Sequence, residues 1–454
     1  MVINMKSITT ITTNAQKNEY WAEKNAEVQE MQDCMHVINI YPEIKYQSFR
    51  GFGGAFTEAS AHVYSKMNSH QQEKLIEAYF GDNGLRYNMG RVHMNSCDFA
   101  LGNYTYVKDD DKELKTFDVA HDEREIIPMI KAAQKASGTN IELLMSPWSP
   151  PAFMKTNGEM NNGGKLLPEY RSVWADYYVK FIERYRKRGL NIKYLTVQNE
   201  PMAVQTWDSC IYTSKEEGDF VKDYLGPTLE KAGLGDVNIF VWDHNKEEAY
   251  QRFKEVVYDE DVSKYVKGEA VHWYTGDHFD AIELVKKQFP EKEVFFTEGC
   301  VEYSRFSDSS EVQKAEMYAH DILGNLNAGI SASFDWNLLL DEEGGPNHVG
   351  NFCAAPIMEA TETEDGFEKR LSYFYIGHFS RYIKENSVRI ATTKYTDGIE
   401  VTAFLNPDGT RAIVVLNKND KDIEYTIREW SEEEKRYIGV NQIIERHSIQ
   451  TICY

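Results

Sequence analysis

Leu195-Thr196-Val197-Gln198-Asn199-Glu200-Pro201 and Val294-Phe295-Phe296-Thr297-Glu298-Gly299-Cys300 read alike: each is an apolar, strand-like run that ends on a glutamate. Ninety-eight residues separate the two glutamates, so only a fold that gathers strand ends can bring them together. In a (β/α)8 barrel, side chains at the carboxyl ends of the strands converge on one mouth. Two carboxyl groups in one mouth is also the arrangement that glycoside hydrolysis requires, one to protonate a leaving oxygen and one to attack or to activate water. Each glutamate alone also reads as a surface carboxylate. Pro201, which cannot continue a sheet, and the setting of Glu298 between Phe296 and Gly299 favour the strand-end reading.

Outward from these runs, strand candidates recur at 49–56, 87–92, 141–146, 193–199, 238–243, 269–274, 293–298 and 329–336, which is the barrel number. The segments between them carry a helical period. In 171–188, Val173, Trp174, Tyr177, Tyr178, Phe181, Ile182 and Tyr185 recur at three- and four-residue steps opposite Lys180, Glu183, Arg184 and Lys187. One helix is expected over 57–80 and another over 310–327. Strand–helix alternation on this scale predicts a parallel sheet.

After about residue 385 the pattern changes. Short runs at 387–394, 399–405, 411–417 and 422–427 are split by Asp397-Gly398 and Asn406-Pro407-Asp408-Gly409, and 437–453 has room for two more strands. Val37-Ile38-Asn39-Ile40 is a strand that can pair with this tail. The expected organisation is a catalytic barrel over 46–385 and a β-sandwich-like domain from 1–45 plus 386–454. That second domain has two readings, carbohydrate binding or structural support, and its few aromatic residues, with no dense exposed set, favour the structural one.

Composition narrows the partners. The 454-residue chain is 42% hydrophobic and carries a net charge of −22. It has no basic stripe for a nucleic-acid backbone, and its charge opposes docking on an anionic membrane. No apolar run approaches the roughly 20 residues of a spanning helix. The first residues, Met1-Val2-Ile3-Asn4-Met5-Lys6, show no signal-peptide core, so a cytoplasmic location is expected. Cys34, Cys97, Cys210, Cys300, Cys353 and Cys453 lie far apart and are expected as free buried thiols. No metal-ligand spacing or phosphate-binding loop occurs, and neither a metal nor another cofactor is expected.

Four of the eight tryptophans fall at strand ends: Trp148, Trp242, Trp273 and Trp336. An indole suits the apolar face and hydroxyl edge of a sugar ring, and it suits ordinary barrel packing equally. Asn199 reads as a sugar ligand or as a turn residue closing its strand, Asp98 as a turn aspartate, and Arg91 as a salt-bridge partner in the barrel mouth.

A set of ordered segments carries a resemblance to glycoside hydrolase family 30, closest to its acid β-glucosidase (glucosylceramidase) branch. They are Gly51-Phe52-Gly53-Gly54-Ala55-Phe56-Thr57-Glu58, Ser96-Cys97-Asp98-Phe99, Ser146-Pro147-Trp148-Ser149-Pro150-Pro151 and Lys155-Thr156-Asn157-Gly158. Gln198-Asn199-Glu200-Pro201, Val271-His272-Trp273-Tyr274, Thr297-Glu298-Gly299-Cys300, Asp335-Trp336-Asn337 and Gly344-Gly345-Pro346-Asn347 follow. The resemblance implies a retaining β-glycosidase with Glu200 as acid/base and Glu298 as nucleophile, acting on a β-linked glucoside or short oligosaccharide. It implies sugar contacts from Asp98, Trp148, Asn199 and Trp336, and a place for Arg91 beside the nucleophile. It also places Asn351 and Phe352 in a loop over the site. His272, Trp273 and Tyr274 are expected to support these residues, whereas Trp242 has no counterpart and is expected in the core. Related branches act on xylosides, fucosides or β-1,6-glucans, and a binding protein without catalysis is disfavoured by the presence of both glutamates and Asn199.

Overall fold

The computed structural model describes residues 7–31 and 34–454. The signal-peptide reading of residues 1–6 lies outside them. Eight parallel strands close into a barrel: β1 (Gly51–Ala55), β2 (Met89–Met94), β3 (Glu142–Pro147), β4 (Asn191–Thr196), β5 (Asn238–Asn245), β6 (Val266–His272), β7 (Glu293–Glu298) and β8 (Ala332–Asp335). All eight fall on the runs the sequence marked, with ends shifted by a few residues. Met89, Leu144, Tyr194, Phe240, Ala270, Phe295 and Phe334 fill its interior, where Phe240 and Phe295 pack with ring centroids 4.3 Å apart. Small residues make the closure possible. A Cβ on Gly53 would lie 2.5 Å from the Met89 carbonyl oxygen and 2.9 Å from Phe334, so no larger residue fits there.

The expected single helix over 57–80 is two, Glu58–Lys66 and Ser69–Phe80. Asn68 breaks it by capping the second helix, its side chain accepting from His70 and Gln71 while Gln71 returns the bond. The helices Arg171–Lys187 and Glu311–Ala328 form as the period predicts, the latter opened by a Ser310–Gln313 capping box.

By compactness the chain divides into two units, residues 52–307 with 332–368 and residues 1–51 with 308–331 and 369–454. The first unit holds most of the barrel. In the second, ten strands form one sheet whose order is Glu19–Glu27, Ser7–Asn14, Ser448–Cys453, Arg411–Asn417, Glu400–Leu405, Val388–Lys394, Val37–Ser48, Ile423–Ser431, Arg436–Ile444 and Gln29–Glu30. Ile8, Ile38, Ile390, Ile413, Val440 and Ile452 lie on separate strands yet share one core, so the sheet folds over itself as a sandwich. Val37–Ser48 pairs antiparallel with Val388–Lys394 and parallel with Ile423–Ser431. The strands Ser7–Asn14 and Glu19–Glu27 escaped the sequence reading because one is threonine-rich and the other largely polar and exposed.

The helices Glu311–Ala328 and Leu371–Ser380, counted with the barrel from sequence, group with the β unit. Asn327 donates to the Val401 carbonyl at 2.9 Å, and His378 sits between the Thr13 and Thr451 hydroxyls at 2.9 and 2.8 Å. Among the described residues no helix is long and apolar enough to cross a membrane. The six cysteines are free, four buried as expected, with Cys34 and Cys453 half-buried at the less covered ends of their segments.

Candidate active site

The strand ends meet as the barrel geometry requires. Regular pairing of β4 stops at Thr196, but the chain stays pinned between its neighbours. Val197 N–H donates to the Phe240 carbonyl, Asn199 N–H to that of Pro147 and Glu200 N–H to that of Asp243. Glu200 reaches its place with φ of 48°, and Trp242 and Asp243 on β5 have φ of 74° and 49°. Left-handed backbone at three non-glycine residues costs on the order of 1 kcal/mol or more each and clusters where side chains must be aimed. Here His272 bridges the two side chains, meeting Glu200 through Nδ1 and Asp243 through Nε2.

A carboxylate oxygen of Glu200, one of Glu298 and a ring nitrogen of His272 all lie within 4.8 Å of each other. Glu298 is fixed on both oxygens, accepting from Arg91 Nη1 at 2.6 Å and from the Tyr274 hydroxyl at 2.9 Å. Glu200 is held more loosely, by His272 Nδ1 at 3.3 Å, Gln205 Nε2 at 3.4 Å and His244 at 3.8 Å. Beneath them Asp243 is fully buried and saturated. It accepts from Arg91, Ser146, Thr196, His272 and Thr297 at 2.6–3.1 Å.

Arg91, also fully buried, binds Asp243 and Glu298 together and donates to Asn199 Oδ1 at 2.9 Å. That bond turns the Asn199 amide nitrogen away from Arg91. The guanidinium lies 4.8 Å from the centre of the Trp148 ring and 5.4 Å from that of Trp336, and the two indoles stack on one another at 5.2 Å. Asp98 completes the wall, accepting from Asn347 and Asn351 at 3.2 and 3.4 Å.

Among the predicted residues, Asp98, Trp148, Asn199, Glu200, Tyr274, Glu298, Trp336 and Asn351 line one cavity of about 140 Å³. Arg91 and His272 lie under its floor. Trp273 is outside the lining, donating to the Cys300 carbonyl and packing edge-on against Phe296. Phe352 is partly exposed beside Asn351. Trp242 is buried, with the Arg252 guanidinium over its ring. The sequence reading missed Asp243, His244, Gln205, Trp207 and Asn347. Asp243-His244 had a usable signal, since it ends the apolar run Ile239–Trp242 just as the glutamates end theirs. Gln205, Trp207 and Asn347 stand in loops, where no period marks a direction.

The electrostatics follow from burial against a few charges. For His272, burial opposes the charged ring, but Glu298, Asp243 and Glu200 outweigh it and raise its pKa to about 9. Asp98 is pushed up to about 7, mainly by burial with the Glu298 charge adding to it. Asp243, against its burial, is held well below the carboxylate range by Arg91 and His272. In the empty pocket burial would raise both glutamates. For Glu200 the pull of His244, His272 and Gln205 wins and lowers it, whereas Glu298 stays raised by burial and the Glu200 charge despite His272 and Arg91. Two cations, Arg91 and His272, thus face three carboxyl groups, and the two glutamates titrate as an interacting pair.

The trio Glu200, His272 and Glu298 also has the spacing of metal ligands. Its chemistry does not fit one. His272 spends both ring nitrogens on carboxylates and is protonated at neutral pH, leaving no lone pair for a metal.

With this geometry in view, comparison with known proteins is direct. Residues 49–383 match the model of the glycosyl hydrolase family 30 TIM-barrel domain, and residues 386–452 match that of the family's beta sandwich domain. The chain is 36% identical over 410 residues to the lysosomal acid glucosylceramidase of Mus musculus, covering 86% of this chain and 79% of that one. It is 26% identical over 407 residues to the endo-1,6-beta-D-glucanase neg1 of Aspergillus fumigatus, covering 84% and 80%. The crystal structure of SrfJ from Salmonella typhimurium superposes with a TM-score of 0.94 at 35% identity, covering 99% of both chains.

Proposed function

The chain belongs to glycosyl hydrolase family 30, a glycosidase family, and from that premise we propose that it is a retaining β-glycosidase that removes terminal β-linked glucose. The observation that carries the retaining mechanism is the approach of Glu200 and Glu298 oxygens to within 4.8 Å. Retaining sites hold their carboxyl groups about 5–5.5 Å apart, and inverting sites leave about 6.5–9.5 Å for a water.

In this reading Glu298, immobilised by Arg91 and Tyr274, attacks the anomeric carbon while Glu200 gives its proton to the departing aglycone oxygen. A covalent glycosyl–Glu298 ester forms. Glu200, now a carboxylate, takes a proton from water, whose oxygen displaces Glu298 and releases the sugar. The step needs Glu298 ionised and Glu200 protonated when substrate is bound. The cationic pair Arg91 and His272 assists, because bound sugar removes water from Glu298 and leaves it dependent on those charges.

Asn199 directs its amide toward the sugar 2-hydroxyl, and Asp98 accepts hydroxyl bonds on the wall formed with Trp148 and Trp336. The narrowness of the cavity supports a single terminal ring. Similarity to a glucosylceramidase supports glucose. The net charge of −22 supports soluble short β-glucosides over a lipid presented on an anionic surface. The test compares kcat/KM for a soluble β-glucoside, a β-1,6-linked glucose disaccharide, a β-xyloside and glucosylceramide in vesicles. A soluble glucoside should lead. A best rate on vesicle-borne glucosylceramide would overturn the charge argument, and a best rate on the xyloside would overturn the choice of sugar.

A further inference from the structure

Apart from the catalytic pocket, a groove of about 660 Å³ opens in the β unit. Three adjacent strands build one of its walls. On Ile423–Ser431, the residues Tyr425 and Ile427 enter the sandwich core, so Arg428 and Trp430 stand on the opposite face. Trp430 pairs directly with Tyr437 on the next strand, and Arg428 with Gly439. On the other side Arg428 pairs with Asn39, which puts Tyr41, two residues on, in register with Trp430. Tyr41, Trp430 and Tyr437 therefore form an aromatic row across three strands. Asn39, Arg428 and Gly439 form a polar row beside it.

The aromatic row is open. Trp430 is 41% and Tyr437 38% exposed, with ring centroids 5.1 Å apart and edge to face. The indole nitrogen is tethered to Glu432 at 3.0 Å, and Arg428 lies over Tyr437 at 4.5 Å. Gly439 leaves the polar row without a side chain at its end, and a Cβ there would meet the Ile427 carbonyl oxygen at 1.8 Å.

Most charges around the groove are paired, although Glu43 and Glu433 add two carboxylates to its lining. Glu429 is paired with Arg411, Glu432 with Lys435, and Glu434 with Arg436. Nothing there calls for a strongly charged ligand. An aromatic strip about 10 Å long, bordered by an amide and a guanidinium, fits a ligand with apolar faces and hydroxyl edges. The volume lies within the range of small-ligand sites.

We propose that this groove is a second carbohydrate site, which holds a neutral oligosaccharide stretch by stacking on Tyr41, Trp430 and Tyr437 with hydroxyl bonds to Asn39 and Arg428. It requires neither Glu200 nor Glu298, so it stands or falls separately from the catalytic reading. The experiment uses the full chain with Glu298→Gln, to prevent cleavage, and glucose in excess to fill the catalytic pocket. Its migration is followed in native gels containing soluble β-1,6-glucan, β-1,3-glucan or xylan. At least one polymer should retard it, and Trp430→Ala with Tyr437→Ala should weaken that retardation about tenfold or more. In the otherwise unaltered enzyme the same pair should leave kcat/KM on a nitrophenyl β-glucoside within about twofold. Hydroxyl-radical footprinting of the Glu298→Gln protein gives a readout that needs no groove variant: the polymer should protect Trp430 and Tyr437. No retardation by any of the three polymers, retardation unchanged in the double variant, or no protection of the two rings would each overturn the proposal.

Discussion

Arg91 donates through Nη1 to Glu298 at 2.6 Å and through Nη2 to Asp243 at 2.9 Å, so one buried guanidinium ties the ends of β7 and β5 to β2. The same nitrogen that reaches Asp243 also orients Asn199. The placement of Glu298, Asp243 and Asn199 therefore shares one side chain, and the consequences can be measured.

Glu298→Ala is expected to abolish turnover on every substrate, because the covalent step is lost. Glu200→Ala should cost about 10²–10⁴-fold on alkyl glucosides, whose poor leaving groups need the proton. On dinitrophenyl glucosides the loss should be much smaller, and azide should restore rate with a β-glycosyl azide as product. Equal losses on both substrate types would remove Glu200 from the acid/base role.

Asp243→Ala should damage stability as well as rate. It strips the buried Arg91 and His272 of a shared counter-charge, and breaking a buried pair costs about 3–5 kcal/mol. Thermal unfolding should show a large fall in Tm, and kcat on any substrate should fall with it. A variant as stable as the parent would contradict the central place of this carboxylate.

The His272 pKa of about 9 lies above its unfolded value near 6.5. Its protonated ring thus contributes stability that is fully present below about pH 6.5 and is lost as pH rises through 9. Melting curves from pH 6 to 10 should show this decline, and His272→Gln should flatten it.

Asp335 works in the opposite sense. Burial lifts its pKa to about 7, with the Tyr87 hydroxyl at 2.9 Å only partly opposing, and Oδ2 has no hydrogen-bond partner among the described residues. The folded state therefore binds a proton that the unfolded state has released between about pH 4 and 7, so stability at this site falls as pH rises through that window. Asp335→Asn should reduce that slope and raise Tm at pH 8. A lower Tm at pH 8 would contradict the cost assigned to the buried charge.

Gly53→Ala tests the barrel itself. Its methyl would press on the Met89 backbone at 2.5 Å, which cannot rotate away as a side chain could. A loss of about 1–3 kcal/mol in chemical denaturation is expected.

The barrel was legible in the chain alone, because eight apolar runs alternating with helical periods admit few other arrangements. The sequence also marked the two glutamates as candidates, because the carboxyl ends of barrel strands surround the mouth. It located Asp98, Asn199, Trp148 and Trp336 through ordered motifs. Tertiary structure decided what those residues touch. Asp243 became the buried anion of the site only when β2, β5, β6 and β7 brought Arg91, His272 and Thr297 around it. The loops carrying Gln205, Trp207 and Asn347 have no repeating pattern to read. In the β unit, the tail's few aromatic residues favour a structural role, and only strand register sets Tyr41, Trp430 and Tyr437 side by side. Periodicity is local and survives in a single chain, whereas hydrogen bonding, burial and charge balance depend on neighbours that only folding supplies.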